Sequence, residues 1–336
     1  MQILRRLLAT LPILFGAAVF TFVLTRVLPG DAASFLASGQ ASAEEIAALR
    51  ARLGLDQPLH VQLLDYLGRL AHGDWGQSFT TGQPVISDLL QRLPASLELS
   101  LFAFAITLAI GLPLGLAAAL RPGRWPDHLC RALCTAGSCA PTFVVGLLLI
   151  YAFYLRLGWA AEPVGRLDAL LAPPPTLTGF LLVDAALARD GAAWRSALAH
   201  LLLPGLAMAS FSVAPLARVT RSSMLAVLGS DFMRTARALA LPPWRIALAY
   251  GLRNALLPVL TTLGLVFSYM LGANVVIEKL FAWPGIGGYA LDALMSADHA
   301  PVQGFVLLVA IAFSLVNLGV DLLGQWADPR SAEVPA

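Results

Sequence analysis

The sequence predicts an all-α membrane protein with six transmembrane helices and a small helical extracytoplasmic segment after the first of them. Of its 336 residues, 58% are hydrophobic and 12% are charged, whereas soluble domains carry about 25% charged residues. Mean hydropathy is +0.76, which excludes a soluble globular enzyme and a disordered chain. Six segments can cross a bilayer, and we name them spans 1 to 6: residues 8–28, 97–120, 132–157, 198–220, 256–277 and 303–324.

Span 1 is expected to be a retained helix. Arg5 and Arg6 precede its apolar run, as in a signal peptide, but the run is too long and Pro-Gly-Asp at 29–31 is not a cleavage site of small residues. Proline inside a membrane helix is tolerated and bends it. We therefore expect kinks at five positions: Pro113, Pro141, Pro204, Pro215 and Pro258.

The placement of arginine predicts that both termini are cytoplasmic, because basic residues favour that side of the membrane. Arginines cluster before span 1, between spans 2 and 3, between spans 4 and 5 and in the tail at 326–336. Acidic residues lie mostly in the other connections. The alternation holds at every loop, and those other connections should face outward.

Residues 30–95 are expected to form a small folded extracytoplasmic unit. Ser42 and Glu45 have the spacing of a capping box, Pro58 is expected to end the helix that it starts, and 61–70 should form a second helix. Three apolar residues of the first helix share one face: Ile46, Leu49 and Leu53.

The second external segment, residues 158–197, contains three consecutive prolines at 173–175. Such a run favours a rigid extended chain. The alternative is a poorly ordered loop.

The connection between spans 4 and 5 is rich in arginine yet not polar throughout. Ser230 can cap a short helix, with Asp231 favourable at its positive end, and the prolines at 242–243 should end it. Phe232, Ala236 and Leu239 fall on one side at helical spacing, and 244–254 is a second amphipathic stretch. Close approach of a partner is favoured by three small residues: Ala236, Ala238 and Ala240.

A helix this short is not stable alone, so it must dock on something. Two alternatives remain open from the pattern. The helix can pack on a partner protein, or it can lie on anionic lipid with its arginines toward the head groups.

No catalytic motif accompanies the spans. Lys279 is the single lysine and follows no glycine-rich turn, so a phosphate-binding loop for ATP is absent. The three cysteines lack the paired spacing of zinc ligands and are interpreted as small apolar helix residues: Cys130, Cys134 and Cys139. We predict no metal site, and the net charge of +2 does not indicate nucleic acid.

Three polar residues are candidates for translocation or gating. Asp321 lies within span 6, where an acid is costly and is a candidate functional site. Glu278 ends span 5 beside Lys279 and is expected to be interfacial. Asn274 is expected to help helices pack.

Two stretches of the 4–5 connection carry a resemblance to a known family. Asp-Phe-Met-Arg-Thr-Ala-Arg-Ala-Leu-Ala-Leu at 231–241 and Arg-Asn-Ala-Leu-Leu-Pro at 253–258 resemble the coupling-loop signature of binding-protein-dependent ABC importer permeases. The branch is that of oligopeptide, dipeptide and nickel permeases. Leu239 stands where lysine is common, and Ala240 where glycine is usual. Alanine keeps close approach possible but adopts positive φ only at a cost.

Shorter stretches agree with the same family in order along the chain. They include Leu-Gly-Leu-Asp-Gln-Pro at 53–58, Gly-Asp-Trp-Gly-Gln-Ser at 73–78, Phe-Ala-Trp-Pro-Gly at 281–285 and Asp-Pro-Arg at 328–330. Each is weak alone, but their shared order makes the match specific for the family.

The resemblance implies a type I ABC importer permease fold in the bacterial cytoplasmic (inner) membrane. It divides the chain into 1–95, a five-helix core at 96–325 with a coupling loop at 225–255, and the tail. It implies a second homologous permease subunit, two ATP-binding subunits that hold ATP and Mg, and an extracytoplasmic solute-binding protein. This chain would need no cofactor. The residues expected to couple to the ATP-binding subunit are Asp231, Arg234, Thr235, Ala236, Arg237, Ala238, Ala240 and Leu241.

The cargo is less determined than the family. The long segment 158–197, with Thr-Gly-Phe at 178–180, favours peptide, and nickel or a metal chelate is the alternative. An ion-coupled secondary transporter is a rival from another class, but it would need internal repeats and more ionisable residues at mid-membrane. A membrane enzyme would need a set of catalytic residues, and this sequence shows none. A purely structural scaffold would not need the coupling-loop signature.

Overall fold

The computed structural model describes residues 2–27, 42–52, 54 and 56–327. The sequences at 29–31 and 328–330 lie outside these ranges. The helices, in chain order, are α1 (Gln2–Val27), α2 (Ala43–Arg52), α3 (Leu59–Ala71), α4 (Val85–Leu120), α5 (Trp125–Cys139), α6 (Thr142–Leu149), π1 (Ile150–Arg156), α7 (Leu181–Leu187), α8 (Gly191–Leu228), α9 (Asp231–Ala238), α10 (Pro243–Arg245), π2 (Ile246–Leu252), α11 (Arg253–Leu280), α12 (Ile286–Met295) and α13 (His299–Ala327).

Five of the six predicted spans are confirmed as long apolar helices. Proline does not end them: Pro204 and Pro215 lie inside α8, and Pro258 lies inside α11. The apolar stretches long enough to cross a membrane are Thr10–Val27, Val85–Leu120, Gly191–Leu228, Ile246–Gly272 and His299–Gln325.

Span 3, predicted over 132–157, is sharply bent at Pro141, which confirms the kink expected there. Trp125–Cys139 and Thr142–Arg156 meet at an angle of 104°. Ala140 is extended, with φ −87° and ψ 122°, and Pro141 starts the next helix. Proline has no N–H to donate and disfavours a helical residue before it. Counted as one bent span, the pair brings the described spans to six.

The chain divides into two compact units. The first joins residues 1–96 to 284–314. Its apolar core lies where the start of α4 meets α12, with Val85, Leu89, Ile286 and Tyr289 buried together.

The expected capping box is present at the start of α2. Ser42 N–H donates to Glu45 Oε2 at 2.8 Å, and Glu45 N–H donates to Ser42 Oγ at 3.2 Å. Pro58 was expected to end this helix but instead starts α3, because its carbonyl accepts from Val61 N–H and Gln62 N–H. The predicted second helix is confirmed as α3. The side chain of Leu49 and residue Leu53 lie outside the described part of the chain.

The second unit joins residues 97–283 to 315–336 and is assembled around α8. Glycine allows the backbones of α4 and α8 to approach closely. A Cβ at Gly115 would lie 2.6 Å from the Ala217 carbonyl oxygen and 2.7 Å from Thr220 Cβ. A Cβ at Gly137 on α5 would lie 2.7 Å from the Ser210 carbonyl oxygen.

The cysteines of α5 take part in this packing, as the sequence interpretation expected for them. Cys130 and Cys134 are buried in one cluster with alanines of α4 and α8. Cys134 Sγ donates to the Ala214 carbonyl at 3.4 Å. Cys139, at the break in span 3, is exposed.

The segment before α7 is ordered by a buried ion pair. Arg166 binds Glu98 of α4 and also donates to the Gly179 carbonyl at 3.0 Å. Glu98 accepts a second bond, from Leu182 N–H at 2.7 Å. Arg166 also lies over the Trp283 ring, 5.8 Å from its centroid. The described geometry therefore supports the folded alternative over a poorly ordered loop.

Asp184 holds the turn that precedes α7. Burial alone would raise the pKa of its carboxyl, but hydrogen bonds from the Thr178 hydroxyl, Thr178 N–H and Gly179 N–H outweigh burial and lower that pKa. The residue is therefore ionised at neutral pH and closes the turn as an acceptor.

We predict that Gly115→Ala destabilises the chain by about 1–3 kcal/mol, because its methyl group would force α4 and α8 apart. Thermal unfolding of the purified protein measures the change. Gly272→Ala on α11 is the matched control, since a Cβ added there would have no heavy atom within 4 Å and alanine favours helix. Equal melting temperatures for Gly115→Ala and wild type would contradict the packing account.

Candidate coupling site

The candidate coupling site is α9, the short helix that follows α8. Ser230 is extended and stands immediately before the helix, as expected. Its hydroxyl does not cap α9, however; it donates to the Val227 carbonyl at 2.6 Å. The helix ends at Ala238 rather than at the prolines, after eight residues. This is roughly two turns.

The inner face of α9 packs on its own chain. Met233 and Ala236 are buried and form one cluster with Ile246 of π2. Phe232 and Leu239 were expected to share a face with Ala236, but they are 45% and 69% exposed. The predicted apolar face is wrong, because Met233 and Ala236 define the buried face and Phe232 and Leu239 lie away from it.

The outer face of α9 therefore combines polar and apolar side chains. Ala236 faces inward, and Leu241 is half-buried. The other predicted coupling residues are exposed, together with Phe232 and Leu239: Asp231, Arg234, Thr235, Arg237, Ala238 and Ala240.

The two arginines of α9 differ in their contacts. Arg234 forms an exposed ion pair with Asp231 at 3.1 Å, which contributes at most about 1 kcal/mol. Arg237 Nη2 donates to the Leu228 carbonyl at 2.8 Å, at the C-terminal end of α8. Arginine there satisfies a carbonyl that the helix leaves unbonded, so Arg237 ties α9 to α8.

Ala240 has φ +52°, in the left-handed region. Its N–H donates to the Arg237 carbonyl at 3.0 Å, and Leu241 N–H donates to the Ala236 carbonyl at 3.4 Å. This is the usual left-handed C-terminal cap, where glycine is preferred. The chain keeps the conformation with alanine, at a cost of about 1–2 kcal/mol.

The stretch at 244–254 is not a separate amphipathic helix. α10 and π2 continue into α11 without interruption, since Leu252 and Arg253 both have helical backbone angles. Gly251 of π2 faces Met224 of α8, whose Cε would lie 3.0 Å from an added Cβ. The residues that support α9 are thus part of the same continuous helix as span 5.

A buried acid that sequence analysis missed joins α5 to α8. Asp127 is fully buried, and Arg221 Nε and Nη2 donate to its two oxygens at 2.6 Å and 3.1 Å. Arg131 Nη2 and Gly123 N–H donate to Oδ2 at 2.8 Å and 2.9 Å. The signal in the sequence is a single acid among the arginines that follow span 2.

The candidate translocation residues occupy different environments. Asn274 of α11 is buried and donates to Ser100 Oγ of α4 at 2.9 Å, which confirms the expected packing role. Glu278, one turn further along α11, is fully buried within the chain, and its interfacial position in the membrane stays a prediction. Asp321 of α13 is exposed within the chain. The structure therefore places Asn274 and Glu278 on one helix face, and Asp321 on another helix.

Several long apolar helices, joined by one short amphipathic helix whose outer face is exposed, define a multi-pass membrane protein. The chain belongs to the family of binding-protein-dependent transport system inner membrane components. The model of that family matches residues 111–333, and the model of its N-terminal region matches residues 1–100. The family has the type I ABC importer permease fold, as the sequence resemblance implied.

Relatives match the chain over nearly its whole length. A probable D,D-dipeptide transport system permease protein of Escherichia coli (strain K12) is 44% identical over 94% of this chain and 92% of its own. A di/tripeptide transport system permease protein of Pseudomonas aeruginosa (strain UCBPP-PA14) is 43% identical over 98% and 97%. A glutathione transport system permease protein of Salmonella typhimurium (strain LT2) is 37% identical over 97% of each chain.

We predict that Asp127→Asn destabilises the purified chain by about 3 kcal/mol, because Arg221 stays largely buried without its counter-charge. Unfolding in a denaturing detergent measures the loss. Asp231→Asn, in the exposed pair with Arg234, is the matched control and should change stability by about 0.5 kcal/mol or less. Equal effects of the two substitutions would show that the Asp127 cluster has no structural role.

We predict that Ala240→Gly stabilises the protein by about 1 kcal/mol, because glycine adopts positive φ without steric cost. The control is Ala238→Gly, at the last residue of α9, where glycine should lower stability by up to about 1 kcal/mol. Both changes are read from thermal unfolding. A loss of stability in Ala240→Gly would contradict the left-handed conformation at residue 240.

Proposed function

We propose that this chain is the transmembrane permease subunit of an ATP-driven importer that moves di- and oligopeptides across the inner membrane. We infer the cargo from relatives that match this chain almost end to end. Their names specify D,D-dipeptides, di- and tripeptides, and glutathione. All of these are short peptides or peptide-like molecules. The chain's membership of a binding-protein-dependent transport family supports import.

Such an importer needs partners that this chain does not supply. We assign ATP and Mg to two ATP-binding subunits, because this sequence has no phosphate-binding loop. A second homologous permease subunit would complete the pathway, and an extracytoplasmic solute-binding protein would deliver the peptide. The arginine-rich 4–5 connection supports placing α9 and both termini in the cytoplasm.

The exposed face of α9 is the surface on which we place the ATP-binding subunit. Phe232 and Leu239 offer apolar area, and Arg234 offers a charge whose pairing within the chain is weak. An apolar patch bordered by charge is typical of a protein interface. This favours the docking alternative for α9 over an orientation on lipid.

The contacts of α9 suggest how ATP could drive the spans. When the ATP-binding subunits close, they would move α9 as a rigid body. Arg237 bonds α9 to the end of α8, and Met233 and Ala236 pack on Ile246, which is continuous with α11. Movement of α9 therefore reaches spans 4 and 5 directly. ATP and cargo would then bias one two-state equilibrium between inward-open and outward-open forms.

We predict that Leu239→Asp abolishes uptake of a labelled dipeptide in cells lacking the wild-type chain, because the charge disrupts an apolar contact with the ATP-binding subunit. Membrane insertion should be unchanged, since Leu239 is 69% exposed. Leu170→Asp is the matched control: Leu170 is 94% exposed in the segment after span 3 and should support normal uptake.

A parallel assay with labelled nickel tests the cargo. Loss of dipeptide uptake alone in the deletion strain supports the proposal. Loss of nickel uptake alone would assign the chain to metal import, and normal dipeptide uptake by Leu239→Asp would refute the docking surface.

A further inference from the structure

A polar cavity of about 520 Å³ lies beside the last turn of α1. Phe22 and Arg26 of α1 form one wall, and α3 supplies most of the opposite wall, including Tyr66 and Arg69. Gln303 of α13 closes one side. Pockets that bind small ligands commonly measure about 300–1,000 Å³. The coupling scheme does not use this cavity.

Two stacked aromatic rings line the cavity next to an arginine. The rings of Phe22 and Tyr66 stack with their centroids 5.6 Å apart, and Arg26 Cζ lies 5.5 Å from the Phe22 centroid. Among the described residues, Nε of Arg26 is buried and makes no hydrogen bond. A buried guanidinium N–H without an acceptor is costly, so this atom favours a ligand with oxygen acceptors.

The charges of the lining favour an anion. Arg69 pairs with Asp65 at 3.1 Å, and both side chains are more than half exposed. Among the described residues, the lining therefore carries two arginines and one carboxylate, with an excess of positive charge. Burial raises the pKa of Tyr66, partly offset by Arg69, so its phenol stays protonated at neutral pH and can donate a hydrogen bond.

The position of the cavity distinguishes a lipid from a soluble anion. Arg26 is the last residue but one of the apolar stretch Thr10–Val27, so the cavity lies at the level of the head groups. On the same turns of α1, apolar side chains are exposed: Phe20 is 66%, Val23 50% and Val27 76% exposed. An apolar flank beside a basic cavity suits a molecule with an anionic head and acyl chains.

We propose that this cavity binds the phosphate group of a membrane phospholipid. Arg26 and Arg69 hold the phosphate oxygens as charge-assisted donors. The acyl chains lie along the exposed flank of α1. The inference is independent of the peptide cargo, because lipid binding can be measured without transport.

The test measures binding of a short-chain phosphatidylglycerol to the full-length protein in a phosphate-free maltoside detergent, by native mass spectrometry. Arg26→Gln should weaken binding about tenfold, since a hydrogen bond between charged groups is lost. Arg156→Gln is the matched control: Arg156 also ends an apolar helix and lies over a ring, 5.4 Å from the Tyr151 centroid. It lines no part of this cavity, so its variant should bind like wild type.

A second variant keeps both arginines and fills the space. Val61 lines the cavity, and Val61→Trp should reduce binding as strongly as Arg26→Gln. This variant decides the result if Arg26→Gln does not fold. Wild-type affinity in both variants would overturn the proposal. Displacement of the lipid by inorganic phosphate or dialanine at equal concentration would also overturn it, because the site would then recognise a soluble anion or a peptide carboxylate.

Discussion

The need for close contact between helices constrains how this molecule is assembled, because lipid offers no hydrophobic force to drive spans together. α8 shows how the constraint is met: 61% of its apolar window is buried, against 22% for α1 and 11% for α13. Gly115 and Gly137 admit the α8 backbone at distances that no other residue would allow. The bond between Asn274 and Ser100 joins a further helix, α11, to α4.

The position of α9 follows from that arrangement. Only two residues, Gly229 and Ser230, separate it from α8, and Arg237 bonds it to the last turn of that helix. Asp127 binds the same end of α8 to α5 through Arg221. A short helix that could not persist alone is therefore held by its neighbours, and a force on its outer face reaches helices that cross the membrane.

Local patterns predicted local features, and tertiary contacts decided the rest. Hydropathy predicted the spans, and the capping box at the start of α2 depends on residues three apart. The sequence predicts a kink at Pro141 and at the prolines of α8 and α11 alike. It does not show that the helix ends at Pro141 and continues through the others, since neighbouring helices decide which proline ends a helix. The inward face of Ala236 depends on Ile246, and the burial of Asp127 depends on an arginine 94 residues away. In both cases the partner residue lies on another helix and cannot be identified from the neighbouring sequence.

We propose that the exposed face of α9 contacts the ATP-binding subunit and moves with it. Cysteine crosslinking measures that contact, with Leu239→Cys in a Cys139→Ser background and a series of single cysteines on that subunit. We expect a crosslink from residue 239 both with and without ATP, and none from Leu170→Cys. The same crosslinking from both positions, or none from residue 239 in a complex that still contains the subunit, would contradict it.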